Sequence, residues 1–164
     1  MTVPSGEPAL FLERIEVGAG RLSCVVRLAP DAPRFTTPKL AARLREAFPD
    51  LPRHACVNEV GPCFGDVMDR TPLPHALEHL VIDLQTRAAP HDAAVYAGTT
   101  DWVDEAAGTA RVQVSFTDDL AALRAFRDAT RFLSDCVVGL RDIPTDEEGV
   151  QDDVRPSHIR QNGR

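Results

Sequence analysis

Along the chain the spacing of apolar positions changes several times, and each change predicts an element. "ALFLERIEV" (9–17) and "RLSCVVRLA" (21–29) are short runs rich in apolar and β-branched residues on either side of a glycine turn, and they predict a β-hairpin. Thr37 followed by Pro38 predicts a helix start: the threonine oxygen accepts from a free first-turn amide, and proline sacrifices no bond there. That helix, "PKLAARLREAF", ends before Pro49. Residues 49–72 carry prolines and glycines without a period, which predicts a long loop with one short turn. A second helix is expected from Thr71 and Pro72 to about Arg87. "AAVYAGTT" and "TARVQVSF" predict two further strands around a glycine-containing connection. This reading puts Asp101, Trp102 and Asp104 in a loop, where the tryptophan either borders a site or serves as a packing lid. "TDDLAALRAFRDATRFLSDCVV" predicts a third helix capped by Thr117 or Asp118, with Leu120, Leu123, Phe126, Thr130, Leu133 and Val137 along one side. Residues 142–164 are polar and nearly without large apolar side chains, so they are expected to form a disordered tail behind a single domain, 1–141. The fold class expected from this order is α+β: a two-layer domain with a mainly antiparallel sheet and about three helices packed on one face.

The second helix has two distinct faces. At 100° per residue, with His75 at zero, His79 lies about 40° away, Glu78 about 60° to the other side and Asp83 at about 80°. Leu73, Leu77, Leu80, Val81 and Leu84 fall on the opposite side. The titratable face holds Ile82 and lacks the lysines and arginines that coat a solvated helix, so it is expected to be covered. Composition narrows the partners. With 25 acidic against 18 basic side chains and a formal charge of −7, the chain is a poor match for nucleic acid or an anionic membrane. No run is long and apolar enough to span a bilayer, the N-terminal residues have no signal-peptide pattern, and the expected location is the cytoplasm. The four cysteines lack CxxC spacing and are expected to be thiols. His91 and His158 are assigned no role.

His75, Glu78 and His79 form an H-x-x-E-H motif, the signature of inverzincins. Histidines at i and i+4 stand one above the other and can reach one metal, and neutral imidazoles hold Zn²⁺ without cancelling its charge. The neighbouring glutamate can then act as general base towards water. The third ligand is open: Cys56 either binds as a thiolate or is a buried thiol. Asp83, one turn beyond His79, is expected to orient that ring through its free nitrogen. His54 either contacts substrate or caps the loop.

The stretch "HACVNEVGPCFGDVMDRTPLPHALEHLVIDLQ" resembles the N-terminal domain of cyanophycin synthetases. The matching positions are His54, Cys56, Phe64, Thr71, His75, Glu78, His79, Leu84 and Gln85, and "VYAGTT" and "ARVQVSF" look like that domain's next two strands. More distantly, the helix is similar to those of pitrilysin-type peptidases and S-ribosylhomocysteinase. The resemblance implies a metallopeptidase-like site of the kind implied to cut the Asp-Arg polymer in some family members, with His75 and His79 as ligands and Glu78 as base; the substrate here need not be that polymer. It departs from the family where "AGTTDW" replaces an arginine-containing stretch, and where Ser115 and Asp83 stand for glutamates. No phosphate-cradling glycine loop occurs, so the expectation is a free-standing relative of one domain. The leading expectation is a zinc-dependent hydrolase of a peptide-type amide bond. Its partners would be a peptide or small amide substrate and either further copies of itself or a ligase subunit. The rivals are a non-catalytic binding or assembly module and a metal-assisted lyase acting on a small metabolite.

Overall fold

The computed structural model describes residues 6–89 and 94–141. The expected tail, His91 and His158 lie outside the described residues. Strands β1 (Leu10–Val17) and β2 (Arg21–Leu28) form the first hairpin, followed by helix α1 (Pro38–Ala47) and helix α2 (Leu73–Ala88). Strands β3 (Gly98–Asp104) and β4 (Thr109–Ser115) form the second hairpin, and helix α3 (Asp119–Arg141) closes the domain. The sheet is antiparallel throughout, in the order β1-β2-β4-β3. The two hairpin turns contain Gly20 and Gly108, at φ +73° and +71°, a region that side-chain-bearing residues disfavour.

One face of the sheet carries the core. Leu22, Cys24 and Val26 of β2 stand opposite Val114, Val112 and Ala110 of β4, and all six are fully buried. α2 and α3 pack on this layer and on each other, and α1 packs on α3. Leu73, Leu77, Leu80 and Val81 anchor α2 with no exposure, each side chain contributing about 1.5–3 kcal/mol by leaving water. That anchoring offsets the cost of burying polar groups on the helix's other side.

The caps of α1 and α3 are where the sequence places them. Thr37 Oγ1 accepts from the Leu40 amide at 3.3 Å, and Asp118 Oδ1 from the Ala121 amide at 3.0 Å. Four details differ from expectation. Residues 49–72 contain two 3-10 turns, Leu51–Arg53 and Phe64–Asp66, rather than one. Thr71 does not cap α2. Its backbone is strapped to Thr36, through Thr36 N–H to Thr71 C=O (2.8 Å) and Thr71 N–H to Thr36 Oγ1 (2.9 Å), and the helix starts at Leu73. Leu120 is exposed at the first turn of α3, off the buried stripe. Finally, Asp101, Trp102 and Asp104 belong to β3 and not to a loop. The strand expected over 93–100 is thus displaced to Gly98–Asp104: Gly98, Thr100 and Trp102 pair with Val114, Val112 and Ala110, so the pattern of β4 sets its register.

Candidate metal centre

The covered face of α2 is where the titratable groups meet. Glu78, His79 and Asp83 are each 5% exposed or less. Two segments bury them: β3 on the Glu78 side and the loop before α2 on the His79 side. That loop is held by its own backbone. Phe64 N–H donates to His54 C=O (2.8 Å), Cys56 N–H to Pro62 C=O (3.0 Å), and Ala55 bridges Cys63. Inside it, Asn58 Oδ1 accepts from the amides of Val60 (2.9 Å) and Gly61 (2.8 Å), an Asx-type turn. Cys56 is thereby delivered to α2.

Cys56 Sγ lies 3.5 Å from His75 Nε2, which lies 3.2 Å from His79 Nε2. The three residues offer ligand atoms all within 4.8 Å of one another, the arrangement that can hold a metal ion. Each ring's remaining nitrogen is already engaged. Thr71 Oγ1 is 2.8 Å from His75 Nδ1, and His54 Nδ1 is 3.3 Å from His79 Nδ1. His54 continues to Asp83, with Nε2 3.2 Å from Oδ2. Arg87 Nε stands 2.7 Å from Asp83 Oδ1, an ion contact in distance whose angle falls outside hydrogen-bond geometry. Phe64, fully buried, stacks on His79 with ring centroids 4.0 Å apart and meets His75 edge-on at 5.3 Å.

Asp83 therefore contacts His54 and not His79 directly, because the His54 ring occupies the space between them. His54 stands behind His79 and does not line the cavity in front of it, where a substrate contact would be expected. Cys56 joins the two histidines of α2. Glu78 lies on the cavity wall beside them, where Thr100 Oγ1 donates to its Oε2 at 2.5 Å. A Cβ at Gly98 would come within 2.5–2.7 Å of the Glu78 carboxylate, so that position tolerates only glycine without a shift. The cavity, about 680 Å³, is also lined by Ile82, Tyr96 and Trp102. Thr71, Thr100 and Gly98 were not singled out by sequence as site residues. Thr71 carried two signals, its T-x-x-x-H spacing to His75 and its place among the positions shared with the family the stretch resembles.

Burial sets the electrostatics. It lowers His75 below the ordinary imidazole value and, with the nearby His75 and His54, takes His79 down to about 3. Glu78 is raised by burial, an effect the Thr100 hydroxyl eases and Asp101 adds to. Cys56 is raised, chiefly by burial. Both α2 histidines are thus neutral at pH 7, the form that binds metals.

Among the described residues no helix is long and apolar enough to cross a membrane. No curated protein matches the chain. The cyanophycin synthase-like N-terminal domain matches residues 24–138, a span that runs from β2 through the Cys56, His75 and His79 cluster into α3. By that match over most of its length, the chain belongs to the cyanophycin synthase-like N-terminal domain family.

Proposed function

We propose that the protein is a zinc-dependent hydrolase of a peptide-type amide bond. The observation that carries this reading is the convergence of one thiol and two imidazoles beside a buried glutamate on a cavity wall. Donors about 2.0–2.3 Å from a tetrahedral zinc stand roughly 3.3–3.7 Å from each other. The Cys56–His75 and His75–His79 separations, 3.5 and 3.2 Å, are close to that spacing, and sulfur with two nitrogens suits zinc. Zinc held there supplies a Lewis acid that polarises a substrate carbonyl and lowers the pKa of water.

The rest is the work of the chain's own groups. Cys56, His75 and His79 are the ligands, and Thr71 and His54 fix the two ring orientations, His54 in turn held by Asp83. Glu78 takes the proton of the attacking water and passes it to the leaving amine. Burial lifts its pKa towards working pH, which suits a group that must both accept and donate. Thr100 holds one of its oxygens, so the carboxylate is oriented before substrate arrives. A reducing compartment such as the cytoplasm fits a site that needs Cys56 as a thiol.

Zinc content and turnover test the reading together. The purified protein is expected to carry about one zinc, lost in His75→Ala and His79→Ala. Glu78→Gln is expected to keep the metal and lose cleavage of Asp-Arg polymer or of a peptide panel by about 100-fold or more. A folded protein that stays metal-free in excess zinc overturns the proposal. Zinc binding with no turnover on any amide leaves the binding module or the lyase in its place.

A further inference from the structure

β3 is an outer strand of the sheet, and its free side opens onto the cavity. The consecutive residues Ala97 to Trp102 all line that space. Side chains of a strand alternate between faces, so an unbroken run means that the cavity meets the strand's edge rather than one of its faces.

The direction of each backbone group follows from the ladder. Ser115 N–H donates to Ala97 C=O (2.8 Å), while Leu28 N–H donates to Gly108 C=O (2.8 Å) and Phe116 N–H to Gly20 C=O (3.0 Å). In an antiparallel ladder a residue sends both polar groups to one side, and its neighbours send theirs to the other. Odd-numbered residues of β4 therefore face β3, and even-numbered ones face β2. Through the pairs Thr99–Gln113 and Asp101–Arg111, Thr99 and Asp101 use their backbone groups on β4. Gly98, Thr100 and Trp102 turn theirs outward, and β3 pairs with no other strand among the described residues.

Two of these outward residues, Gly98 and Thr100, also meet Glu78. Thr100 bonds its carboxylate, and Gly98 has no side chain where that carboxylate sits. A chain paired to this edge lies about 4.8 Å from β3 and passes directly beside Glu78. At the rim, Val57 and Val95 are exposed, apolar, and unused by the core.

We propose that the protein takes its substrate as an extended peptide main chain, added to the free edge of β3 through the backbone groups of Gly98, Thr100 and Trp102. This rests on the hydrolase reading for what happens to the bound chain. It goes further in naming a linear peptide of several residues, in place of a small amide, as the ligand. Main-chain pairing supplies affinity that does not depend on the substrate's side chains.

The test uses zinc-loaded Glu78→Gln protein and, as probe, an equimolar pool of acetylated, amidated hexapeptides. Amide exchange at Gly98, Thr100 and Trp102 is expected to slow at least tenfold when the pool is added, with less than twofold change at Thr99 and Asp101. The same pool N-methylated on every backbone nitrogen should give no protection. Trp102→Pro deletes one outward donor without touching the ladder to β4, and is expected to bind the pool about 2- to 10-fold more weakly than Trp102→Ala. Binding of the pool with all three amides exchanging as in the free protein overturns the proposal, as does a proline variant that matches the alanine one. Zinc content and cleavage by the unmutated protein separate the two readings. A zinc enzyme with unprotected amides loses only the edge, whereas protected amides in a protein that cleaves nothing lose only the hydrolase.

Discussion

Thr71 and His54 hold the Nδ1 atoms of His75 and His79, and this is what leaves both Nε2 atoms to face one another. Consider the chain from His79. With Asp83 accepting from His54 Nε2–H, His54 Nδ1 becomes an acceptor for His79 Nδ1–H, and the lone pair of His79 Nε2 is free for a metal. The helical wheel places Asp83 on the right face of α2 but gives no hint of the ring inserted between it and His79, since His54 comes from a loop 25 residues earlier. Contacts of that kind depend on the tertiary path of the loop and leave no period in the sequence. If the three groups act in series, Asp83→Asn and His54→Ala should each weaken zinc binding by about 10- to 100-fold. The double variant should be little worse than His54→Ala alone, because a broken chain has nothing further to lose. Competition against a chromophoric chelator measures this, and additive losses would show that the two residues act separately.

At the scale of elements, α2 was legible and β3 only in part: a strand was expected over 93–100, and it lies at Gly98–Asp104. The α2 wheel separates leucines from titratable groups, and the presence of Ile82 with no lysine or arginine on the titratable face marks that face as covered. The structure buries Glu78, His79 and Asp83 accordingly. β3, with the sequence "GTTDWVD", has no apolar alternation of its own, and its place is fixed by β4 and by the helix above it. Under the Glu78 carboxylate, the packing of α2 on β3 leaves no room for a side chain at Gly98. Gly98→Ala puts a methyl group into that contact, and the strand or Glu78 must move. The expected cost is about 1–3 kcal/mol in denaturant unfolding. Because Glu78 is not among the three converging donors, zinc stoichiometry should be unchanged while peptide cleavage falls at least tenfold. An alanine variant with full cleavage would show that the carboxylate needs no such close seat.

For the molecule as a whole, the centre is a place where binding and folding are linked. The metal-free fold must keep His79 neutral, because its folded pKa is about 3 against an unfolded value of about 6.5. Between those values the unfolded chain binds the extra proton. Stability is therefore fully present above about pH 6.5 and is lost as pH falls towards 3. Glu78 works in the opposite sense: its raised pKa means the folded state holds a proton longer, so its contribution diminishes as pH rises through that range. Between pH 7 and pH 5 the two therefore oppose each other: protonation of the unfolded His79 lowers stability, and the proton held by the folded Glu78 raises it. Acidifying the metal-free protein over that interval should remove about 2 kcal/mol on account of His79, and His79→Gln should flatten the curve. Zinc at about 100 times its dissociation constant should add about 2.7 kcal/mol at pH 7, and less at pH 5, where ligand protons compete with the metal. Urea titrations at the two pH values, with zinc and with chelator, measure all four corners of this linkage. A His79→Gln variant whose metal-free midpoint shifts between pH 7 and pH 5 by the same amount as the unmutated protein's would mean that His79 is not held neutral by the fold. The packing of Phe64 against its ring would then have to be explained without it.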